Sequence, residues 1–396
     1  MRQDTRYLLW NTTSLLFAYM VVAIPLPVIS VFVTHELGFP NSLGGLAVGV
    51  TYLTAIFSRG FSGRLADRIG GKACMAYGLP IYALACVVCF AAAMLTLYPV
   101  LGLGFLLAGR LILGVGDSLV SVGMLSWNIA LLGTQRSGVV FSLVGACIYG
   151  AIAAGGPLGM LCVDAFGFSG LMLLCIPLPL LGRWMISPIP AALPQTFDLS
   201  PPVQSKAAFF RVAANIWRQG VVTFSQGVGF AALGAFIFLY FANQGWRYAG
   251  LGLTCFGAGF VLMRLVFGSL PDKLGGMHVA MVSLIVAACG QFLLWTASSA
   301  EMALAGAFLT GIGCSLIYPS MGAESVRMVR PELQGTAVGA FAVFQDVAYG
   351  ITAPVAGLFA DRFGYSAVFM LGFIAALSGL LVAILTVLQR ANKNDG

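Results

Sequence analysis

The sequence predicts an all-α membrane protein: twelve transmembrane helices in two pseudo-symmetric six-helix bundles. Three observations predict it. Of 396 residues, 60% are hydrophobic and only 8% charged, and the mean hydropathy is +0.97. So few charges cannot supply the surface of a soluble globule. Apolar runs of about 20 residues recur along the chain, the length a helix needs to cross roughly 30 Å of hydrocarbon. The chain also repeats itself. Gly63-Arg64-Leu65-Ala66-Asp67-Arg68-Ile69-Gly70-Gly71 returns 205 residues later as Gly268-Ser269-Leu270-Pro271-Asp272-Lys273-Leu274-Gly275-Gly276, with Arg59 matched by Arg264 and Gly45 by Gly250. Pro157–Ser169 returns 197 residues later as Pro354–Ser366, as does Gly114-Val115-Gly116 as Gly311-Ile312-Gly313.

The predicted spans are 8–33, 42–62, 74–96, 99–121, 138–161 and 168–187, then 217–241, 248–268, 278–298, 302–322, 335–358 and 366–389. They are helices because segments this apolar must satisfy every backbone group internally, and no alternating ten-residue strands suited to a barrel occur. The first run is too long for a cleaved signal peptide and has no small-residue cleavage site behind it. Residues 188–212 interrupt the pattern. Pro188, Pro190, Pro194, Pro201 and Pro202 prevent a continuous helix, and Lys206 and Arg211 favour the inner surface. The predicted organisation is a bundle at 1–187, a cytoplasmic linker at 188–212 and a second bundle at 213–396.

With the N-terminus in the cytoplasm, all but three of the 20 Lys and Arg lie inside or at the inner membrane edge. The exceptions are Arg247, Arg362 and the intramembrane Arg110. This sets the orientation, with both termini cytoplasmic. The net charge of +7 is therefore a topology signal; the basic residues are spread over the inner loops, so no nucleic-acid partner is expected. The nine Cys lie in or beside apolar spans, and Cys86 and Cys89 read as packing residues. His35 and His278 are far apart. No metal site, cofactor motif or catalytic pair is expected, and no leftover stretch suggests a soluble motor domain. Two related halves in one membrane chain point to a transporter that opens a site to either side in turn.

These residues resemble the major facilitator superfamily. The Gly63–Lys72 stretch is similar to that family's signature between spans two and three, with Gly71 where a basic residue is usual, and the Gly268–Gly276 copy falls between spans eight and nine. The resemblance implies a conformational gate at Gly63, Asp67, Arg68, Gly70, Lys72, Gly268, Asp272 and Gly275. Asp67 would latch on the start of span eleven and Asp272 on the start of span five, a carboxylate at a helix N-terminus being favourable. Gly63 and Gly70 are expected to supply close approach and unusual backbone angles. Arg110 with Gly114 resembles the family's R-x-x-x-G pattern of proton-coupled members. Gly155-Gly156-Pro157 resembles its antiporter signature, with Met160 in place of the usual glycine. Gly45/Gly49 and Gly155/Gly159 give GxxxG spacing suited to close helix packing. Ile24-Pro25-Leu26-Pro27 and Ser58-Arg59 look like a bacterial branch of sugar-efflux-like and metallophore-export-like members.

Where the halves differ, chemistry is expected. Arg110 corresponds to Ala307, Asp117 to Cys314 and Asp346 to Tyr149. Ionisable groups in hydrocarbon are functional candidates by default. Arg110 either binds an anionic or zwitterionic substrate group or holds a neighbouring helix by its carbonyls. Asp346 either carries protons or partners an arginine permanently. Asp117, two turns from Arg110, belongs either to the gate, with Arg68 or Lys72 as partner, or to the coupling site. Glu324 is expected to pair with Arg327. Asn11, Tyr19, Gln226, Tyr240, Ser315, Tyr318, Gln345 and Tyr349 are candidates to line a cavity or to bridge helices by hydrogen bonds.

The expected function is a proton-coupled antiporter exporting a small organic molecule from the bacterial cytoplasm across the inner membrane, working as a monomer. A proton symporter importing an organic anion or zwitterion is the alternative. The expected partners are substrate, protons and the lipid bilayer.

Overall fold

The computed structural model describes residues 2–132, 137–191, 206–268, 270–330 and 334–394, and every regular element among them is helical. The chain divides into two compact units, Met1–Asp198 and Leu199–Gly396. The first holds α1 (Arg2–Ala23), α2 (Leu26–Val31), α3 (Asn41–Ile69), α4 (Gly71–Ala93), α5 (Pro99–Leu132), α6 (Ser137–Cys175) and α7 (Pro177–Ile186). The second holds α8 (Lys206–Asn215), α9 (Trp217–Asn243), α10 (Leu251–Phe267), α11 (Leu270–Leu274), α12 (Gly276–Trp295), α13 (Ala300–Ser315), α14 (Ile317–Arg327), α15 (Gln334–Phe363) and α16 (Ser366–Asn394). Most of the expected linker, residues 192–205, lies outside the described residues.

Among the described residues, ten stretches are long and apolar enough to cross a membrane. One of them, Val144–Ile186, is 43 residues long and is broken at Gly167, whose φ of +66° no other residue type readily adopts. The shorter apolar helix α10 adds a further pass. The first span differs from the expected single helix. Pro25 and Pro27 remove two amide donors, so α1 stops at Ala23, α2 restarts the helix, and a π-helical turn at Phe32–Glu36 closes it.

The repeated motif is not the loop its glycines suggested. In the first copy α3 runs helically through Gly63 to Ile69, and a Cβ on Gly63 would meet nothing within 4 Å. Gly63 supplies neither close approach nor an unusual backbone angle, because Arg64-Leu65-Ala66 are strong helix formers with no breaker among them. The turn is the single residue Gly70, at φ 86° and ψ 151°. Its counterpart Gly275 adopts φ 85° and ψ 138°. In the second copy the helix ends at Phe267 and restarts as α11, whose Pro271 sits in a first turn, where a missing amide costs nothing.

The helix start beyond each turn pins the last helix of its bundle. A Cβ on Gly71 would come within 2.5 Å of the Trp127 amide, so α4 starts directly against α5. Lys72 then lies 5.8 Å from the Trp127 ring and donates to the carbonyls of Ser187 at 2.9 Å and Ile189 at 2.5 Å, just past the end of α7. Trp127 Nε1 donates to the Pro190 carbonyl at 3.2 Å. In the second bundle the same place is held by charge. Glu324 on α14 accepts from the Met277 amide at 2.9 Å, at the start of α12, and from Arg390 of α16 at 3.0 Å. Glu324 was expected to pair with Arg327. Arg390 is a partner here because α16 runs long enough to return its last turns to the start of α12.

Glu324 serves two groups and Arg390 is about half exposed. Glu324→Ala should therefore cost about 1–2 kcal/mol through the lost helix cap, and Arg390→Ala no more than about 1 kcal/mol. Thermal unfolding of the purified variants, compared with Glu324→Gln, tests that order; equal losses for both alanine variants would refute it.

Candidate functional site

Within the first bundle, α5 meets α3 backbone to backbone. A Cβ on Gly114 would collide with the Thr51 carbonyl oxygen. Arg110 is one turn earlier on the same face, and the close approach lets its Nε donate to the Ala47 carbonyl at 3.0 Å. The R-x-x-x-G spacing thus has a mechanical reason: the glycine brings the neighbouring backbone within the arginine's reach. Arg110 is 2% exposed, and its Nη2 has no partner among the described residues. Of the two roles expected for it, the carbonyl bond is observed and one donor is left over.

Asp117, two turns further along α5, is also buried. Tyr82 of α4 donates to its Oδ1 at 2.8 Å, and Tyr19 of α1 hydrogen-bonds the same carboxylate. Arg59 of α3 and, more weakly, Arg110 act on it electrostatically. The partners expected for Asp117, Arg68 and Lys72, are not the ones found. Arg68 is exposed and Lys72 is spent on the carbonyls past α7. Among the described residues, the groups found to act on Asp117 come from α1, α3, α4 and its own α5. Four helices thus converge on one carboxylate. Asn11 of α1 donates to Asn128 of α5 at 3.0 Å, tying the same pair of helices by a plain interhelix bond.

The second bundle has no Arg110, since Ala307 stands there, but it keeps the contact: a Cβ on Gly311 would collide with the Phe256 carbonyl oxygen. Its polar interior is made of amides. Gln226 of α9 is 2% exposed; its carboxamide hydrogen-bonds the Cys314 thiol of α13, and its Oε1 is unmet among the described residues. One turn on, Phe230 packs on Tyr349 of α15 with ring centroids 5.0 Å apart and on Phe256 of α10 at 5.2 Å. Gln345, one turn before Tyr349, donates to the Tyr349 hydroxyl, and its own Oε1 is unmet. Asp346 is buried beside it in sequence, at 5% exposure.

The other candidates separate from these clusters. Tyr240 donates to the Leu294 carbonyl at 3.0 Å, and Ser315 to the Phe260 carbonyl at 2.7 Å, so both bridge helices. Tyr318 is half-buried against Phe341. The Asp67 and Asp272 side chains, and those at the expected latch points near 137 and 335, lie outside the described residues. Gly155 packs against Ala23, where a Cβ would come within 2.7 Å of the backbone carbon, and Gly159 lies directly on the Ile24 carbonyl. The smooth face around Gly156 and Pro157 therefore lies at the proline break of the first span. Tyr82, Arg59 and Phe230 were not foreseen. Only Arg59 left a trace in the sequence, its repeat at Arg264.

The Major Facilitator Superfamily model matches residues 12–252 and 221–395. The chain belongs to this superfamily. This membrane transporter is 36% identical over 389 residues to an uncharacterized MFS-type transporter of Salmonella typhimurium, with 98% of each chain covered. It is also 36% identical over 382 residues to one of Burkholderia mallei, with 96% and 91% covered. Among solved structures, its fold is similar to the nucleoside transporter NupG (D323A mutant), with a TM-score of 0.77 at 13% identity, and to the human organic anion transporter MFSD10, at 0.69 and 17%. Each comparison covers 96% of this chain and 99% of the other. The transporter is thus a multi-pass membrane protein and not an enzyme.

If Gly114 and Gly311 set the helix spacing, Gly114→Ala and Gly311→Ala should each destabilise the transporter by about 1–3 kcal/mol. Gly104→Ala, where a Cβ meets nothing within 4 Å, should be neutral or slightly stabilising. Thermal unfolding of the three variants in detergent checks this, and equal effects would count against it.

Proposed function

We propose that this transporter is a proton-coupled antiporter that exports a small organic molecule by alternating access. In this reading it acts as a monomer in a bacterial inner membrane, with both termini in the cytoplasm. The observation that carries the reading is the buried Asp117 carboxylate, bonded by Tyr82 and Tyr19. A carboxylate kept inside a hydrocarbon-embedded bundle is costly and is retained for work. Hydroxyl partners stabilise its charge yet permit protonation, and its two protonation states can bias two conformations differently. Asp346 is assigned a second coupling role in the other bundle. Export is supported by the tight seat of Gly155 and Gly159 on the broken first span, which gives the antiporter-like Gly-Pro stretch a physical place. The bacterial relatives and the distribution of basic residues support the membrane and the orientation. Asp67 and Asp272 remain the proposed latches.

A second reading, symport of an organic anion or zwitterion, is favoured by one observation, the unpartnered Nη2 of the buried Arg110. The solved neighbours, by name a nucleoside transporter and an organic anion transporter, share only the fold.

One experiment separates the readings. Proteoliposomes containing pyranine are given outward gradients of a panel of organic solutes. Antiport acidifies the lumen as solute leaves; symport makes it alkaline. Asp117→Asn and Asp346→Asn should each reduce the proton signal at least about tenfold while solute exchange continues. Solute movement without any proton signal in the wild type, or unchanged proton-driven accumulation in Asp117→Asn, would overturn the proposal.

A further inference from the structure

At one end of the second bundle the chain carries the same pair twice, an aromatic residue followed by an arginine: Phe210-Arg211 and Trp217-Arg218. Two helical turns separate the pairs. The Ile216 amide donates to the Val212 carbonyl at 3.1 Å and the Gly220 amide to the Ile216 carbonyl at 3.0 Å, so the helical ladder carries across the junction of α8 and α9. The two rings therefore share one flank of the helix and the two arginines the next, with the pairs about 10 Å apart. The packed side is fixed. Val212 and Ile216 are buried with Ala337 and Ala340 of α15 and Met277 of α12, and Phe209 packs on the same core. The helix cannot roll to hide its aromatic flank, and Phe210 is 68% exposed and Trp217 46%. The Phe209 ring also meets the Phe210 ring edge-on, with centroids 5.9 Å apart.

The level of this surface in the membrane is set within the same bundle. Leu377, Leu381, Ile384 and Leu388 of α16 are 40–57% exposed, at the spacing of a lipid-facing helix side. That stripe ends at Gln389, whose Oε1 accepts from Arg218 at 2.6 Å. Trp217 and Arg218 are thus placed where hydrocarbon gives way to headgroups, the level at which aromatic rings are favoured and long basic side chains reach for charge. The Arg218 guanidinium lies 5.6 Å from the Trp217 ring, and its bond to the neutral Gln389 amide does not compensate its charge. Arg211 adds a second exposed guanidinium. We infer that this surface binds an anionic phospholipid, with Phe210 and Trp217 entering the acyl region and Arg211 and Arg218 holding the phosphate. A zwitterionic lipid would cover the rings but brings its own cation beside the phosphate. A soluble acidic partner would satisfy the arginines but leave bare the rings that stand level with the lipid-facing stripe. A lipid anion matches both halves of the repeated pair. The leaflet is the cytoplasmic one in the orientation proposed above. The inference rests on the chain crossing a membrane, and on neither the direction of transport nor its coupling to protons.

Tryptophan quenching tests it. The full-length protein is reconstituted into phosphatidylcholine vesicles that contain the same fraction of either brominated phosphatidylglycerol or brominated phosphatidylcholine. Brominated phosphatidylglycerol should quench the more strongly, and Trp217→Phe should abolish the difference. Arg218→Gln should lower the preference for phosphatidylglycerol about fivefold, the worth of one basic side chain near an anionic surface. Arg218→Lys should keep most of it, because the charge stays. Arg211→Gln should act by a similar factor and serves if Arg218→Gln does not fold, and combining the two should leave no preference. Added salt should weaken the preference in the wild type. Equal quenching by the two lipids in the wild type, a difference that survives Trp217→Phe, or wild-type preference after both arginines are replaced would each overturn the inference. None of these measurements involves movement of solute or protons, so this inference and the proposed function fail separately.

Discussion

The fold depends on backbones touching where a side chain is missing. Lipid tails are as apolar as leucine, so no hydrophobic force drives one membrane helix onto another; close packing must do it. In the first bundle Gly114 meets the Thr51 carbonyl, and in the second Gly311 meets the Phe256 carbonyl. The two glycines are equivalent under the internal repeat, as are the two carbonyls they touch. One contact has therefore been used twice to build two bundles. Everything functional is added to it: Arg110 reaches Ala47 only because Gly114 has brought α3 close, and the same approach in the second bundle carries Ala307 and no charge.

The repeat made the architecture legible. Gly70 and Gly275, 205 residues apart, adopt nearly the same backbone conformation, and the positive φ of Gly167 is matched at Gly364. Positive φ is a property of glycine itself, so the sequence carries it directly. The site was legible only in part. Arg110, Asp117 and Asp346 stood out because the halves differ there. Tyr82 did not, because it is 35 residues from Asp117 and belongs to a different helix whose apolar pattern hides it. Partner choice was also hidden. Lys72 has the charge to serve a carboxylate, but the carbonyls past α7 lie nearer, and Glu324 meets α16 from the far end of the bundle. Such pairings are set by which helix ends come home together, and no local spacing records that.

The two clamps show how freely chemistry can change when geometry is fixed. Gly71 abuts Trp127 and Gly276 abuts Glu324 at corresponding points. One bundle closes with a lysine, an indole and three carbonyls, the other with a carboxylate, an amide and an arginine. The first set satisfies carbonyls just past the last helix of its bundle; the second satisfies an amide at the start of α12 and ties it to the last helix through a side chain. The repeat conserves the place to be pinned and leaves the pin to local composition.

The same freedom accounts for the unequal interiors. A charge in hydrocarbon has to be compensated by the protein at all times, because an unpaired buried ion costs several kcal/mol. Asp117 is accordingly surrounded by two hydroxyls and the field of Arg59. A neutral amide group left unmet carries a smaller cost. The first bundle thus encloses a carboxylate with its hydroxyl partners, and the second carries neutral glutamine amides beside packed aromatic rings.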